Sequence, residues 1–354
     1  MKGVRTWLMA RGVHALLRWK SRASLVRSAL GRLSLPRARP IAGDRLWIGI
    51  AQTRLELVED GASFAGHIGR LAARAVEQGA QLVVFPEDVG FLLLGLLPGA
   101  RAAAQASNLE AAVSQAVGAS VSIAELLRVV ATGAWPIYQE TFAGLARRMG
   151  AYILGGSIVL PDEAGRLYNV AFLFGPDGEI QAQQRKTHLF HIERDWGLEA
   201  GDEIVVCELP NTRIAFPICM DHTFHEPIRV AYLQGAEVII DPSANPERYD
   251  EPSERRGVWS RVQESPAYGV LACLVGTLAG VVFEGRSQVV APLALTPQGD
   301  GILAQAQMVD REEVVVAEVN LAALRAYKAA YGPQWNLALY RRYLPLLFKY
   351  APSM

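Results

Sequence analysis

Arg213-Ile-Ala-Phe-Pro-Ile-Cys219-Met-Asp221 is the stretch on which the reading of this chain turns. Residues 214–218 form an apolar, strand-like run that delivers a cysteine to a polar turn, and residues 224–234 read as a helix ending at Gly235-Ala236. A strand running through a tight bend into a helix is the building unit of an α/β sheet. A thiol on that bend is held exposed at a sheet edge, with the following backbone N–H directed into the same space. Those are two requirements of acyl transfer to a thiol: a positioned nucleophile and an oxyanion donor. Taken alone, a single cysteine reads more simply as a small buried hydrophobe. Two motifs upstream argue otherwise.

The first is Leu82-Val-Val-Phe-Pro86-Glu87. A short apolar strand ends at Pro86, which has no N–H to continue a ladder. Glu87 therefore lies at the carboxyl end of a strand, where α/β sheets place their chemistry. The second is Gln184-Arg185-Lys186-Thr-His188-Leu-Phe190, which follows the hairpin-like Phe174-Gly-Pro-Asp-Gly178-Glu. Lys186 thus leaves the end of another strand. Base, cation and thiol each emerge from a strand end.

Further apolar strand signals fall at residues 46–52, 152–157, 169–174, 238–240, 269–275, 287–291 and 314–319. Helical patterns cover 63–78, 136–148, 223–234 and 253–268. The chain has 354 residues, 51% of them hydrophobic, and no Gly/Ser or Pro linker divides the series. This is the pattern of a single α/β domain with helices covering its sheets. Three widely spaced cysteines, Cys207, Cys219 and Cys273, form no disulfide framework and suit a reducing, cytoplasmic compartment. Cys207 and Cys273 lie in strand-like runs and read as packing residues.

The three blocks Pro86-Glu87, Arg185-Lys186-Thr-His188-Leu189 and Cys219-Met-Asp221-His-Thr-Phe224-His-Glu226 resemble, in order and separation, those of the nitrilase or carbon–nitrogen hydrolase superfamily. Gly235-Ala-Glu237, Pro242-Ser243 and Gly285-Arg-Ser287 extend the likeness, which runs from about residue 46 to about residue 320. The resemblance implies an α-β-β-α sandwich. It also implies a catalytic triad of Glu87 as base, Lys186 as cation and Cys219 as nucleophile, with the Met220 N–H at the oxyanion. Glu193 matches the second glutamate of many members, and would orient Lys186 or the substrate. His188, His191, His222, Phe224 and Glu226, all within the motif blocks, are candidates for the substrate pocket. Two His-x-x-His pairs look like metal ligands, yet the family works without metal or other cofactor. Two departures stand out: Cys273 occupies a family asparagine position, and Leu293-Ala-Leu-Thr-Pro-Gln-Gly replaces a shorter link.

Nitrile-cleaving members read Cys-Trp-Glu at the nucleophile, whereas amidases and carbamoylases read Cys-x-Asp. Cys219-Met-Asp221 therefore points to hydrolysis of an amide or ureido bond through a thioester. A nitrilase, or an N-acyltransferase using the same triad, is the alternative, with an apolar substrate at a membrane surface as one version of it. An idle binding protein is disfavoured because the whole triad is present.

Charge is uneven. Residues 1–43 carry ten Lys/Arg and no acid, leaving the other 311 residues with a net charge of −10. That extension contains Trp7, Leu8, Leu16, Leu17, Trp19, Leu25, Val26, Leu30 and Leu33 on a broad apolar face. It reads as a helix on the inner membrane surface, a targeting segment or a disordered tail. After the domain's first motif, residues 88–135 form a helix-favouring insert whose run 89–100 is too short to span a bilayer. The insert reads as a buried element, a lid, or an apolar lip touching lipid. The aromatic and cationic segment 326–354 follows the domain (44–325), and the resemblance implies that it crosses the interface of a homodimer or higher homo-oligomer. Nothing in the chain suggests nucleic acid as a partner.

Overall fold

Side chains on neighbouring strand positions face opposite ways, and here both faces are apolar. In β2 (Leu82–Val84), Leu82 and Val84 face one side and Val83 the other, and in β8 (Val238–Ser243), Val238 and Ile240 oppose Ile239. All six are completely buried, as expected of parallel strands covered on both sides. Leu82, Val84, Val238 and Ile240 meet in one apolar cluster between two sheets, while Val83 and Ile239 join separate clusters shared with helices. The α-β-β-α layering follows, as the resemblance implied. The computed structural model describes residues 12–108, 111–112, 114–115, 121–332 and 335–344.

The first sheet runs β13 (Glu313–Asn320), β1 (Arg45–Leu55), β2, β3 (Tyr152–Pro161), β4 (Leu167–Phe174) and β5 (Ile180–Arg185). The second runs β6 (Val206–Leu209), β7 (Thr212–Ala215), β8, β9 (Tyr268–Leu278), β11 (Gln288–Val290) and β12 (Ile302–Gln305), with β10 (Val281–Phe283) folded against β9. The far end of β1 pairs in parallel with β9, Thr53 opposite Leu274 and Leu55 opposite Gly276. That seam makes the two sheets one continuous unit.

Helices Gly61–Glu77 and Ile123–Met149 cover the first sheet, and His225–Leu233 and Val258–Glu264 the second. The long helix begins well before Pro136, at a capping box of Ser122 and Glu125. Tertiary packing of Leu126, Leu127 and Val130 overrides the local start signal that proline provides. The expected helix over 253–268 is instead two pieces, interrupted at Gly257, where ψ is −143°.

The N-terminal extension is part of this body from residue 12 onward. Residues 12–20 and Ala23–Gly31 are helical, and Leu17, Val26, Ala29 and Leu30 are buried in the outer cluster of the first sheet. Lys20 Nζ donates to the Leu96 carbonyl at 3.0 Å. Most of this apolar face meets protein, with Trp19 left exposed, and the helical structure corrects the disordered-tail reading for these residues. Trp7 and Leu8 lie outside the described residues. The first part of the insert is likewise internal: Val89–Leu96 is a 3-10 helix with every residue but Leu94 buried. At the C-terminus, Arg229 stacks on the rings of Trp335 (4.8 Å) and Tyr340 (5.6 Å).

One irregularity positions the first motif. β3 carries a bulge between Leu154 and Ser157, with Gly156 at φ +69°. Ser157 N–H donates to the Pro86 carbonyl at 3.3 Å, and the Asp88 N–H donates to Ser157 Oγ at 2.9 Å. A Cβ on Gly156 would collide with the Pro86 carbonyl. Gly156→Ala should therefore destabilise the protein by at least about 3 kcal/mol, combining left-handed strain with the clash. Gly165→Ala, at φ +79° with open space around it, should cost only about 1–2 kcal/mol. Equal denaturant midpoints for the two variants would contradict this account of the bulge.

Candidate active site

Glu87, Lys186 and Glu193 come from three places in the chain and meet in a space nearly closed to water, exposed by 2%, 2% and 6%. Lys186 Nζ donates to Glu87 Oε1 at 2.8 Å and to Glu193 Oε2 at 2.6 Å. Asn169 Nδ2 bridges the same two carboxylates, at 2.9 and 3.1 Å. The Ala244 N–H donates to Glu87 Oε2 at 3.0 Å, and the Phe190 N–H to Glu193 Oε2 at 2.8 Å. Every carboxylate oxygen in the cluster thus has a donor, the condition under which charges persist in an apolar interior.

Cys219 sits on the bend that the sequence implies. Past β7 the chain runs through Pro217 and Ile218, turns at Cys219–Thr223, and enters the helix His225–Leu233. Cys219 has φ +48°, a left-handed conformation that costs a non-glycine residue about 1–2 kcal/mol. The thiol is half-buried rather than exposed and lines the same cavity as Glu87 and Lys186. Ser243 Oγ donates to Sγ at 3.4 Å, and Asn245 Oδ1 is 3.8 Å away.

Asp221 holds this bend to the lysine loop. Its carboxylate accepts from the Ile218 N–H at 2.9 Å, from Thr187 Oγ1 at 2.7 Å and from the His188 N–H at 2.7 Å. Burial pushes its carboxyl up, but hydrogen bonds from His188, Thr187 and Ile218 prevail and hold it below the usual carboxylate range.

The electrostatics suit proton transfer. Burial, and then the charge of Glu87, push the Cys219 thiol well above its ordinary pKa. It rests protonated and needs a base at the moment of attack. Burial also raises the Glu87 carboxyl, against the pull of Lys186, and so makes it a stronger base. Burial would strip the Lys186 proton, but the negative charges of Glu87 and Glu193, with a hydrogen bond to Glu193, overcome it and raise the ammonium's pKa well above the usual lysine range.

These groups open into a cavity of about 370 Å³, lined among others by Phe91, Leu94, Leu126, Met220 and Trp196. His188, His191, His222, Phe224 and Glu226 do not line it. His188 bonds Asp221 and stacks on Phe224 at 4.5 Å. His191 packs against Phe190, and Glu226 is exposed on the helix after the bend. His222 is buried behind the cysteine bend, bonded to the Pro217 carbonyl at 3.0 Å and 3.7 Å from Asp241. Proximity to Cys219 in sequence does not carry His222, Phe224 and Glu226 into the cavity, because the turn sends successive side chains in different directions, and His188 and His191 are taken up by contacts within and beside the lysine loop. Among the described residues no three His, Cys, Asp or Glu are grouped to hold a metal. Asn169 was missed by sequence reasoning. Its only signal was an amide opening an otherwise apolar strand.

Residues 48–329 match the carbon-nitrogen hydrolase family. The chain belongs to that family. The nitrilase of Pyrococcus abyssi (strain GE5 / Orsay) is 31% identical over 259 residues, 72% of this chain and 83% of that protein. Probable hydrolase YhcX of Bacillus subtilis (strain 168) is 33% identical over 193 residues, 53% of this chain, and the match spans only 37% of YhcX. The match to omega-amidase NIT2 of Homo sapiens, 33% identical, spans 31% of this chain and 45% of that protein. An amidase from Nesterenkonia sp. AN1, solved with the acetamide moiety of fluoroacetamide covalently added at its active-site cysteine, shares the fold. The TM-score is 0.62 at 23% identity, covering 87% of this chain and 100% of that one.

Burial lowers the pKa of His222 from 6.5 to about 4. The unfolded chain takes up this proton below pH 6.5, while the folded carbon–nitrogen hydrolase domain resists it until about pH 4. Stability should fall by about 1.4 kcal/mol per pH unit across that window, roughly 3 kcal/mol in all. His222→Gln keeps a donor for the Pro217 carbonyl and removes the titration. Denaturant unfolding at pH 7 and pH 4 should show a loss on acidification about 3 kcal/mol smaller in the variant; parallel losses would refute the assignment.

Proposed function

We propose that this protein hydrolyses the carbon–nitrogen bond of an amide or N-carbamoyl substrate through a thioester on Cys219. The observation that carries the proposal is the Lys186 ammonium fixed between Glu87 and Glu193 in a cavity whose lining also holds the Cys219 thiol. Glu87 takes the thiol proton as Sγ attacks the carbonyl carbon. The oxyanion faces the Lys186 ammonium and the Met220 N–H. As the tetrahedral intermediate collapses, Glu87 gives the proton to the departing amine. Water then enters, Glu87 removes its proton, and attack on the thioester releases the acid and restores the thiol. Glu193 and Asn169 act by holding Lys186 and Glu87 in place.

The reading extends to a homo-oligomer joined through the C-terminal segment, supported by exposed Leu339, Tyr343 and Leu344 on that segment. Among the described residues no helix is long and apolar enough to cross a membrane. Three free cysteines support a cytoplasmic setting. Any contact with the inner membrane surface would fall to residues 1–11 and the exposed Trp19, since Leu17, Val26, Ala29 and Leu30 are buried against the protein.

Cys219→Ala should lower amide turnover by several orders of magnitude while leaving thermal unfolding unchanged within a few degrees. Glu87→Gln keeps its shape and loses its base, so no acyl adduct should build up on Cys219 by intact-protein mass spectrometry. A Cys219→Ala variant retaining a tenth of wild-type rate would sink the thioester route. Adduct formation at the wild-type rate in Glu87→Gln would move the base elsewhere.

A further inference from the structure

The cavity above Cys219 has a chemical asymmetry that the triad does not explain. Its volume, about 370 Å³, lies within the range of small-ligand sites, ~300–1,000 Å³, and exceeds what an amide group alone would fill. One part of the lining is apolar and comes largely from the insert: Phe91, Leu94, Ile123 and Leu127, with Trp196 and Val281. Phe91 contacts Trp196 at a ring separation of 6.0 Å. Leu94, Ile123, Trp196 and Val281 are only half-buried, so they keep apolar surface for a ligand to cover.

The polar part of the lining is acidic. Glu247, Asp250 and Glu284 contribute to it beside Glu87 and Glu193, against the cations Lys186, Arg248 and Arg256, while burial pushes the Asp88 and Asp241 carboxyls well above their ordinary range and Glu254 up to about 7. Lys186 is committed to Glu87 and Glu193. Arg248 lies 3.6 Å from Glu284, and Arg256 Nε donates to the Ser253 carbonyl. A carboxylate on the substrate would enter a space where acids outnumber cations and the central cation is already shared by two glutamates. Hydrogen bonding to Ser253 keeps the Asp250 carboxyl below its ordinary pKa, so that side chain stays anionic.

We infer that the substrate is an uncharged amide bearing an apolar arm of several carbons, and not an amide or ureido compound bearing a carboxylate. The inference rests on the amidohydrolase reading and narrows it. The apolar wall takes the non-reacting arm, and the acidic rim turns away anionic substrates before they reach Cys219. Leu94 and Ile123 are the specificity-determining residues: both face the cavity, and both are exposed enough for truncation without loss of the core.

The test measures kcat/KM of the full-length enzyme for the primary amides acetamide, propionamide, butyramide, valeramide and hexanamide, and for succinamate. Each added methylene should raise kcat/KM roughly four-fold until the wall is filled, the equivalent of ~0.8 kcal/mol per buried CH₂. Succinamate should fall at least about ten-fold below butyramide, whose length it matches, because like charge and lost apolar contact act together. Leu94→Ala and Ile123→Ala should each lower the hexanamide-to-acetamide ratio by about ten-fold. A flat chain-length series, a preference for succinamate, or an unchanged ratio in both variants would overturn the inference. Those outcomes leave thioester hydrolysis standing so long as Cys219 still turns over any of the amides. If none of them is hydrolysed and none forms an adduct at Cys219, the amidohydrolase reading itself fails, and this inference with it.

Discussion

An ammonium 2.8 Å from one carboxylate and 2.6 Å from another, in a space nearly closed to water, is stable only where every remaining lone pair finds a donor. Here the donors are the Asn169 amide and the N–H groups of Ala244 and Phe190. They come from β4, from the end of β8 and from the loop after Lys186. Much of the surrounding structure can be understood as the means of bringing those strand ends to one point. Parallel strands β1, β2 and β3 in one sheet, and β7, β8 and β9 in the other, carry their chemistry at their carboxyl ends. The seam between β1 and β9 ties the two sheets together.

Two smaller devices refine that placement. The β3 bulge accepts the Pro86–Asp88 segment, so Glu87 is held by backbone contacts on both sides as well as by its own hydrogen bonds. Asp221 then couples the lysine loop to the cysteine bend through hydrogen bonds that involve backbone N–H groups on each. Relative motion of Lys186 and Cys219 would break bonds to a buried carboxylate, which is costly. The left-handed conformation of Cys219 is sustained by that clamp.

The segments outside the motif blocks turn out to have a shared role. Residues 12–31 cover the helices Gly61–Glu77 and Ile123–Met149 with their apolar face. Those helices in turn cover the first sheet, and the start of the second one reaches the cavity through Ile123, Leu126 and Leu127. A stretch that looked suited to a membrane is in this way part of the support for the cavity wall. Composition could not separate the two outcomes, because a protein surface and a lipid surface ask the same of an amphipathic helix.

By itself the sequence determined that helices cover sheets, since apolar strand runs broken by helical periodicity admit few other arrangements. Its resemblance to the carbon–nitrogen hydrolases sharpened this to two sheets between helices and singled out Glu87, Lys186 and Cys219, each at a strand end. Glu193 was legible through the same resemblance. Tertiary structure alone decided the rest, because it depends on which distant groups are brought together. Asn169 gains its role only when β4 lies across from Glu87, and the cavity wall is assembled from residues 91–127 and 196 rather than from the histidines next to Cys219. Side chains adjacent in sequence leave a tight turn in different directions, whereas residues far apart in sequence meet wherever the sheets place them.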